Sequence, residues 1–141
     1  MLRCRVASTR STWVTCATSA AKELAGRGLG LRVILDSQEY LIKKGKGHPF
    51  YPTYGEREEL LNAIRWVDLV VPQIECSTAR SLEHYLPKAF VKGGGWALDN
   101  LSAEEIDVCR RNGIEIVTGV SGSDEPQSSS WLIAGSKTRR V

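Results

Sequence analysis

A chain of 141 residues, 42% apolar and 25% charged, is most simply a single domain spanning residues 1–141, with room for one core. Its formal charge of +3 suits a small anionic ligand and lacks the basic blocks of a dedicated nucleic-acid binder. No apolar run reaches membrane-spanning length. Cys4, Cys16, Cys76 and Cys109 show no C-x-x-C spacing, which disfavours a zinc site and points to free thiols in a reducing compartment such as the cytoplasm.

Residues 1–21 contain Arg3, Arg5 and Arg10, many Ser and Thr, and no acid, the composition of an organellar transit peptide. From Leu31 onward the pattern is orderly. "LRVILDS" is β-branched and apolar and ends on turn formers, so a buried strand is expected over Leu31–Asp36. "QEYLIKKGKGHPFYP" gives a short helical piece, a basic glycine-rich loop and a Pro-bounded turn. "GEREELLNAIRW" reads as a helix with acids in its first turn, Arg65 in its last, and Leu60, Leu61 and Ile64 as its buried stripe. Trp66 is expected in the core.

"VDLVVP" is a second strand, Val67–Val71. "STARSLEHYLP" is a helix capped by Ser77 or Thr78 and stopped before Pro87. "KAFVKGGG" is a strand, Ala89–Lys92, running into glycines. "SAEEIDVCRRNG" opens on a capping box, Ser102 to Glu105, and closes at Gly113. "IEIVTGV" supplies a strand at Ile114–Thr118, and "QSSSWLIAG" a polar cap leading into a short apolar helix. Continuously apolar strands alternating with helices make an α/β fold, a parallel sheet covered on both faces. Ligands of such sheets bind beyond the carboxyl ends of the strands.

Several residues are placed for that crevice. Lys92, Gly93, Gly94 and Gly95 end a strand, where glycines let backbone N–H groups approach an anion; a plain turn is the competing explanation. Gln127, Ser128, Ser129 and Ser130 open a helix and could cradle phosphate, or serve only as an N-cap with spare serines. Lys43, Lys44 and Lys46 could reach phosphates as point charges, or form a solvated run. Arg57 lies in the first turn of a helix, where a cation opposes the dipole, so it has a ligand or an ion pair to explain it. His48 and His84 have no metal-like partners in the sequence.

Taken together, "ILDSQEYLIKKGKGHPFYPTYGEREELLNAIRWVDLVVP", "LPKAFVKGGG" and "QSSSWLI" resemble the cytidylyltransferase-like nucleotidyltransferases, the group of glycerol-3-phosphate cytidylyltransferases and heptose-1-phosphate adenylyltransferases. The resemblance spans roughly residues 20 to 135. It implies a Rossmann-like sheet of five parallel strands. It also implies Mg²⁺ with an NTP, CTP or ATP, and transfer of the cytidylyl or adenylyl group to a sugar- or polyol-phosphate with release of pyrophosphate. By the same resemblance Lys43, Lys44, Arg57, Lys92, Gly93, Gly94 and Gln127–Ser130 contact nucleotide or phosphates, and a homodimer is expected. The family often has Asp where this chain has Gly95, a departure at a nucleotide contact.

The largest departure lies at the start. The family's first strand leads into Gly-Gly-Phe-Asp-Pro-Leu-His-x-Gly-His, whose two histidines stabilise charge developing at the α-phosphate. No such run exists here. Synonymous codons for Val6–Thr18, read one base earlier, nevertheless translate as Gly-Gly-Phe-Asp-Pro-Leu-His-Val-Gly-His-Val-Arg-Tyr. Trp13, with its single codon, forces the glycine between the histidines. A compensating shift near Ser19–Ala21 restores "AAKEL". Out-of-frame coding of residues 1–20 is preferred to a transit peptide before a degenerate domain. In the chain as written, Thr12 and Thr15 take the histidine positions, the catalytic pair is missing, and the central first strand is expected to be missing, short or drawn from Arg10–Thr18. The alternative function is a nucleotide-binding module without catalysis.

Overall fold

A computed structural model describes residues 3–8, 28, 30–43, 52–93 and 98–120. Over these residues the elements are β1 (Arg3–Ser8), β2 (Gly30–Leu35), α1 (Gln38–Lys43), α2 (Tyr54–Asn62), β3 (Leu69–Pro72), α3 (Thr78–Tyr85), β4 (Ala89–Gly93), a 3-10 turn at Leu98–Asn100, α4 (Ala103–Arg111) and β5 (Glu115–Val120). The five strands form one sheet in the order β3-β2-β1-β4-β5. Every pairing is parallel, as expected of the four later strands. The chain builds outward from β1 through β2 to β3, then crosses back to place β4 on the other side of β1.

Both faces of the sheet are covered. Leu31, Val33, Leu35, Val70, Ala89 and Val91 pack on one face with Leu61 of α2, and with the partly buried Tyr54 and Ile64. Ile34, Val71 and Phe90 pack on the other with Ala79 and Leu82 of α3 and Val108 and Cys109 of α4. Alternation along β2 therefore sends Leu31, Val33 and Leu35 to one core and Ile34 to the other, which is why the strand is apolar from Leu31 to Leu35 except at Arg32.

Local chemistry sets the helix ends. Thr53 caps α2 through a reciprocal box, its hydroxyl accepting from the Glu56 amide while the Glu56 carboxylate accepts from the Thr53 amide. Ser77 caps α3, which stops at Leu86 in a left-handed conformation before Pro87. Ser102 and Glu105 form the expected box on α4, and Gly113, at φ 64°, lets the chain turn into β5.

Four expectations need correction. The first strand is not missing or taken from Arg10–Thr18. Arg3–Ser8 fills the central slot, paired with β2 from Arg3↔Gly30 to Ser8↔Leu35 and with β4 from Cys4↔Ala89 to Val6↔Val91. The ladder is made by backbone groups, and the facing edges of β2 and β4 both need such partners. Helix α2 ends at Asn62, so Arg65 lies beyond it, its guanidinium over the Trp66 ring. Leu60 is 65% exposed, because the helix turns Leu61 to the sheet instead. Trp66 is exposed rather than part of the core.

Candidate nucleotide site at the switch point of the sheet

Strand order reverses at β1, whose neighbours are β2 on one side and β4 on the other. In an open parallel sheet the crevice for a ligand lies beyond the carboxyl ends of the strands at such a point. Here the carboxyl end of β1 is Ser8 and that of β4 is Lys92-Gly93, so the first glycine of "KGGG" stands beside the switch point. Gly93 follows a register shift in the β4–β5 ladder between Val91 and Gly93, which bends the strand end away from regular pairing. The end of β1 is where the family's histidine loop departs. Thr12 and Thr15, along with Lys44, Gly94 and Gln127–Ser130, lie outside the described residues.

On the β2 side, Arg57 holds the corner. Its guanidinium donates to the Asp36 carbonyl at 2.8 Å, the Gln38 Oε1 at 3.2 Å and the Pro52 carbonyl at 3.2 Å. Its Cζ lies 5.6 Å from the centroid of the Tyr54 ring. The fork ties the first turn of α2 to the carboxyl end of β2 and the start of α1. That explains a cation placed against the helix dipole, and it puts a fixed positive charge at the ligand-facing edge. Asp36 is buried there, and so is Gln73, which follows β3 and donates its amide to the Leu35 carbonyl. The Gln73 Oε1 is buried with no hydrogen-bond partner among the described residues. The turn after β3 carries Glu75 and Cys76 at positive φ, 49° and 53°. The Cys76 Sγ lies 3.5 Å from the Ser37 Oγ, joining the ends of β3 and β2.

Lys43 is the last residue of α1 and pairs at 2.8 Å with Glu39 one turn earlier, with both side chains mostly exposed. The Glu39 carboxylate holds the Lys43 ammonium above its ordinary pKa, so it stays cationic. Lys92 differs. Its Nζ lies 3.4 Å from the Glu105 Oε1, with side-chain exposures of 13% and 10%, and 5.5 Å from the Phe90 ring centroid. The Lys92 charge is thus set against a carboxylate on α4. Of the residues singled out in the sequence, the structure places Lys92 and Gly93 at one side of the β1 end, and Arg57 with Lys43 on the β2 side.

Glu105, Asp36 and Gln73 were not singled out as site residues. The capping box does reveal Glu105, but only as a helix signal, since its pairing with Lys92 is long-range. Asp36 and Gln73 each stand one residue past a strand's carboxyl end, the position a parallel sheet offers to ligands. Among the described residues no group of three or more His, Cys, Asp or Glu is arranged to hold a metal ion. No helix among them is long and apolar enough to cross a membrane.

No family model matches the chain. Over 96 residues it is 31% identical to the bifunctional protein HldE of Halorhodospira halophila. That match covers 68% of this chain and 19% of the relative, so the chain spans about a fifth of the length of the curated protein it matches. In three dimensions it is similar to the lipopolysaccharide core biosynthesis protein from Thermoplasma volcanium, with a TM-score of 0.65 at 17% identity, over 88% of this chain and 99% of that one. At that identity the likeness speaks for the fold. Together with the order of segments in the sequence, the likeness to HldE supports the cytidylyltransferase-like nucleotidyltransferase family for this chain.

Proposed function

We propose that this fold is built to transfer a cytidylyl or adenylyl group from CTP or ATP to a sugar- or polyol-phosphate, releasing pyrophosphate, and that the chain as written keeps the nucleotide site without the transfer. The observation that carries this reading is the placement of Lys92-Gly93 at the end of β4, beside the end of β1 at the switch point. The name of the Thermoplasma protein, lipopolysaccharide core biosynthesis, favours a phosphosugar acceptor.

The chemistry is an in-line displacement. An acceptor phosphate oxygen attacks the α-phosphorus, the bond to the β-phosphate oxygen breaks, and pyrophosphate leaves with the electron pair. Charge builds on the α-phosphoryl oxygens, so fixed donors and cations set the rate. Backbone N–H groups of Gly93 and Gly94, the run Gln127–Ser130 that the sequence pattern reads as a helix start, and the cations Lys43, Lys44 and Arg57 are the groups assigned to hold nucleotide and phosphates. In this reading Mg²⁺ enters with the NTP, as the companion cation of its phosphates. Thr12 and Thr15 stand where the family has histidines, and a threonine hydroxyl carries no positive charge to offset the α-phosphate.

The test compares this chain with a repaired one, in which Arg5–Thr18 is replaced by Ser-Gly-Gly-Phe-Asp-Pro-Leu-His-Val-Gly-His-Val-Arg-Tyr. Pyrophosphate release is followed with Mg-CTP or Mg-ATP and phosphosugar acceptors. The expected result is no transfer by the chain as written and nucleotide-dependent stabilisation of the repaired chain, about 2.7 kcal/mol at a ligand concentration ~100 times its Kd. Acceptor-dependent pyrophosphate release by the unrepaired chain overturns the assignment of inactivity. A repaired chain that shows no nucleotide-dependent thermal shift, or one unaltered when Ser128 and Ser129 are made bulky and apolar, overturns the proposed site.

A further inference from the structure

The Glu105 carboxylate does two jobs at once. Its Oε2 accepts from the Ser102 amide at 3.0 Å and the Ser102 hydroxyl at 3.2 Å, closing the capping box of α4. Its Oε1 lies 3.4 Å from the Lys92 Nζ, and Glu105 as a whole is only 7% exposed. Lys92 immediately precedes Gly93, the end of β4, and Ser102 immediately follows Leu101, where the chain returns from the 3-10 turn at Leu98–Asn100. One buried carboxylate therefore grips both the outgoing and the returning chain at the sheet's ligand-facing edge. The capping box also uses the first donors of α4 internally, so that helix start serves as an anchor.

We infer that Glu105 is a positioning residue: through Lys92 on one side and Ser102 on the other, it fixes the Gly93 backbone at the switch point relative to α4. A capping box alone needs no lysine, and glutamine serves in it as well as glutamate. The near-burial of both charged groups is what distinguishes this pair from the exposed i,i+4 pairs at Glu39–Lys43 and Asp107–Arg111. The inference rests on the proposed nucleotide site only in its ligand-binding consequence, while the mechanical claim stands apart from it.

The experiment exploits the difference between cap and strut. Glu105→Gln keeps an acceptor for Ser102 and removes the charge facing Lys92. Lys92→Met with Glu105→Gln removes both charges, so no ion is left buried alone if the single variant fails to fold. Amide hydrogen exchange of the ligand-free protein is read at Gly93 and Leu101, whose amide donates to the Leu98 carbonyl, and at Asn112, whose amide donates to the Val108 carbonyl at the far end of α4. Exchange at Gly93 and Leu101 is expected to speed up about ten-fold in the double variant, with Asn112 unchanged. Glu104→Gln, on the exposed neighbour, is expected to change neither. Unaltered exchange at Gly93 and Leu101 overturns the inference, and so does equal acceleration at Asn112, which would make Glu105 a helix cap alone. Affinity for Mg-CTP and Mg-ATP is measured on the same proteins. A several-fold loss in the double variant supports the link to the site. If the parent binds neither nucleotide, the nucleotide reading fails while the exchange result still decides the strut.

Discussion

Replacing Arg57 with Met separates its structural role from a ligand role. Methionine keeps most of the apolar stem and removes every donor. The guanidinium bond to the Pro52 carbonyl is exposed and contributes little, which leaves the part-buried bonds to the Asp36 carbonyl and the Gln38 Oε1. Hydrogen bonds from charged donors contribute about 1.5–3 kcal/mol each, and partial exposure places these at the low end. Removing a cation from the first turn of α2 returns about 0.3–1 kcal/mol through the helix dipole. The net loss is therefore about 2–3 kcal/mol. For a chain of this size that lowers Tm by on the order of 10 °C. Arg57→Lys should recover part of the loss, since one ammonium reaches one of these acceptors but cannot fork. Circular dichroism melts and urea titrations of the three proteins measure it. Arg57→Met melting within about 1 °C of the parent would refute the claim that this fork ties α2 to the β2 end.

Two further outcomes follow from titratable groups. Burial, and next the nearby Glu105 carboxylate, push the Cys109 thiol up to about 11. At about pH 8 the thiolate is then roughly one part in a thousand, so iodoacetamide should label half-buried Cys76 in the native protein and leave Cys109 until the chain is unfolded, as read by peptide mass spectrometry. The Thr53 amide, then its hydroxyl, hold the exposed Glu56 carboxyl below its ordinary value. A depressed carboxyl stabilises the fold above its unfolded pKa and loses that effect as pH falls through its folded value. Thr53→Ala removes the hydroxyl and keeps the amide, so it should destabilise the protein at neutral pH, shrink that cost in acid, and move the Glu56 titration seen by NMR part of the way upward.

The later strands and helix caps were legible because each is specified locally. The largely apolar stretch at Leu31–Leu35, with β-branched Val33 and Ile34, the box at Ser102–Glu105 and the glycine at 113 each state their conformation within a few residues. Helix α2 was over-extended because the sequence reads on in helical composition to Trp66. In the structure, backbone bonds from the Ile64 amide to the Leu61 carbonyl, and from the Val67 amide to the Ile64 carbonyl, close turns there instead. The site was legible in outline, through glycines and cations past strand ends. Its supports were not, since Arg57 with Asp36 and Lys92 with Glu105 are pairings made only by the fold. The Asp68 carboxylate on the Leu31 amide, close enough to crowd a Cβ at Gly30, is another of that kind.

The first strand carries the sharpest prediction, because fold and composition disagree there. Arg5 sits in register between Arg32 on β2 and fully buried Phe90 on β4, at the centre of a sheet whose other inner strands are mostly apolar. Strands are about 4.8 Å apart, and like charges directly opposite destabilise by roughly 0.2–1 kcal/mol. Arg5→Ser alone should raise the melting temperature, and serine is also the residue the other frame supplies there when Cys4 is read as TGT. A lower melting temperature would show that Arg5 is accommodated and remove the structural argument for a displaced frame. The bases give the independent check. The two histidines need the codons of Ser11 and Val14 each to end in C, because that base joins the first two of Thr12 and Thr15 to make CAC. Any other base there yields Tyr, Asn or Asp, and the pair is lost. Sequencing codons 2 to 22 decides it. A C at both places, with a compensating shift before Ala21, leaves the out-of-frame reading standing and the repaired chain as the one to assay. Anything else leaves Arg3–Ser8 as a genuine central strand, and the missing histidines as a property of this protein.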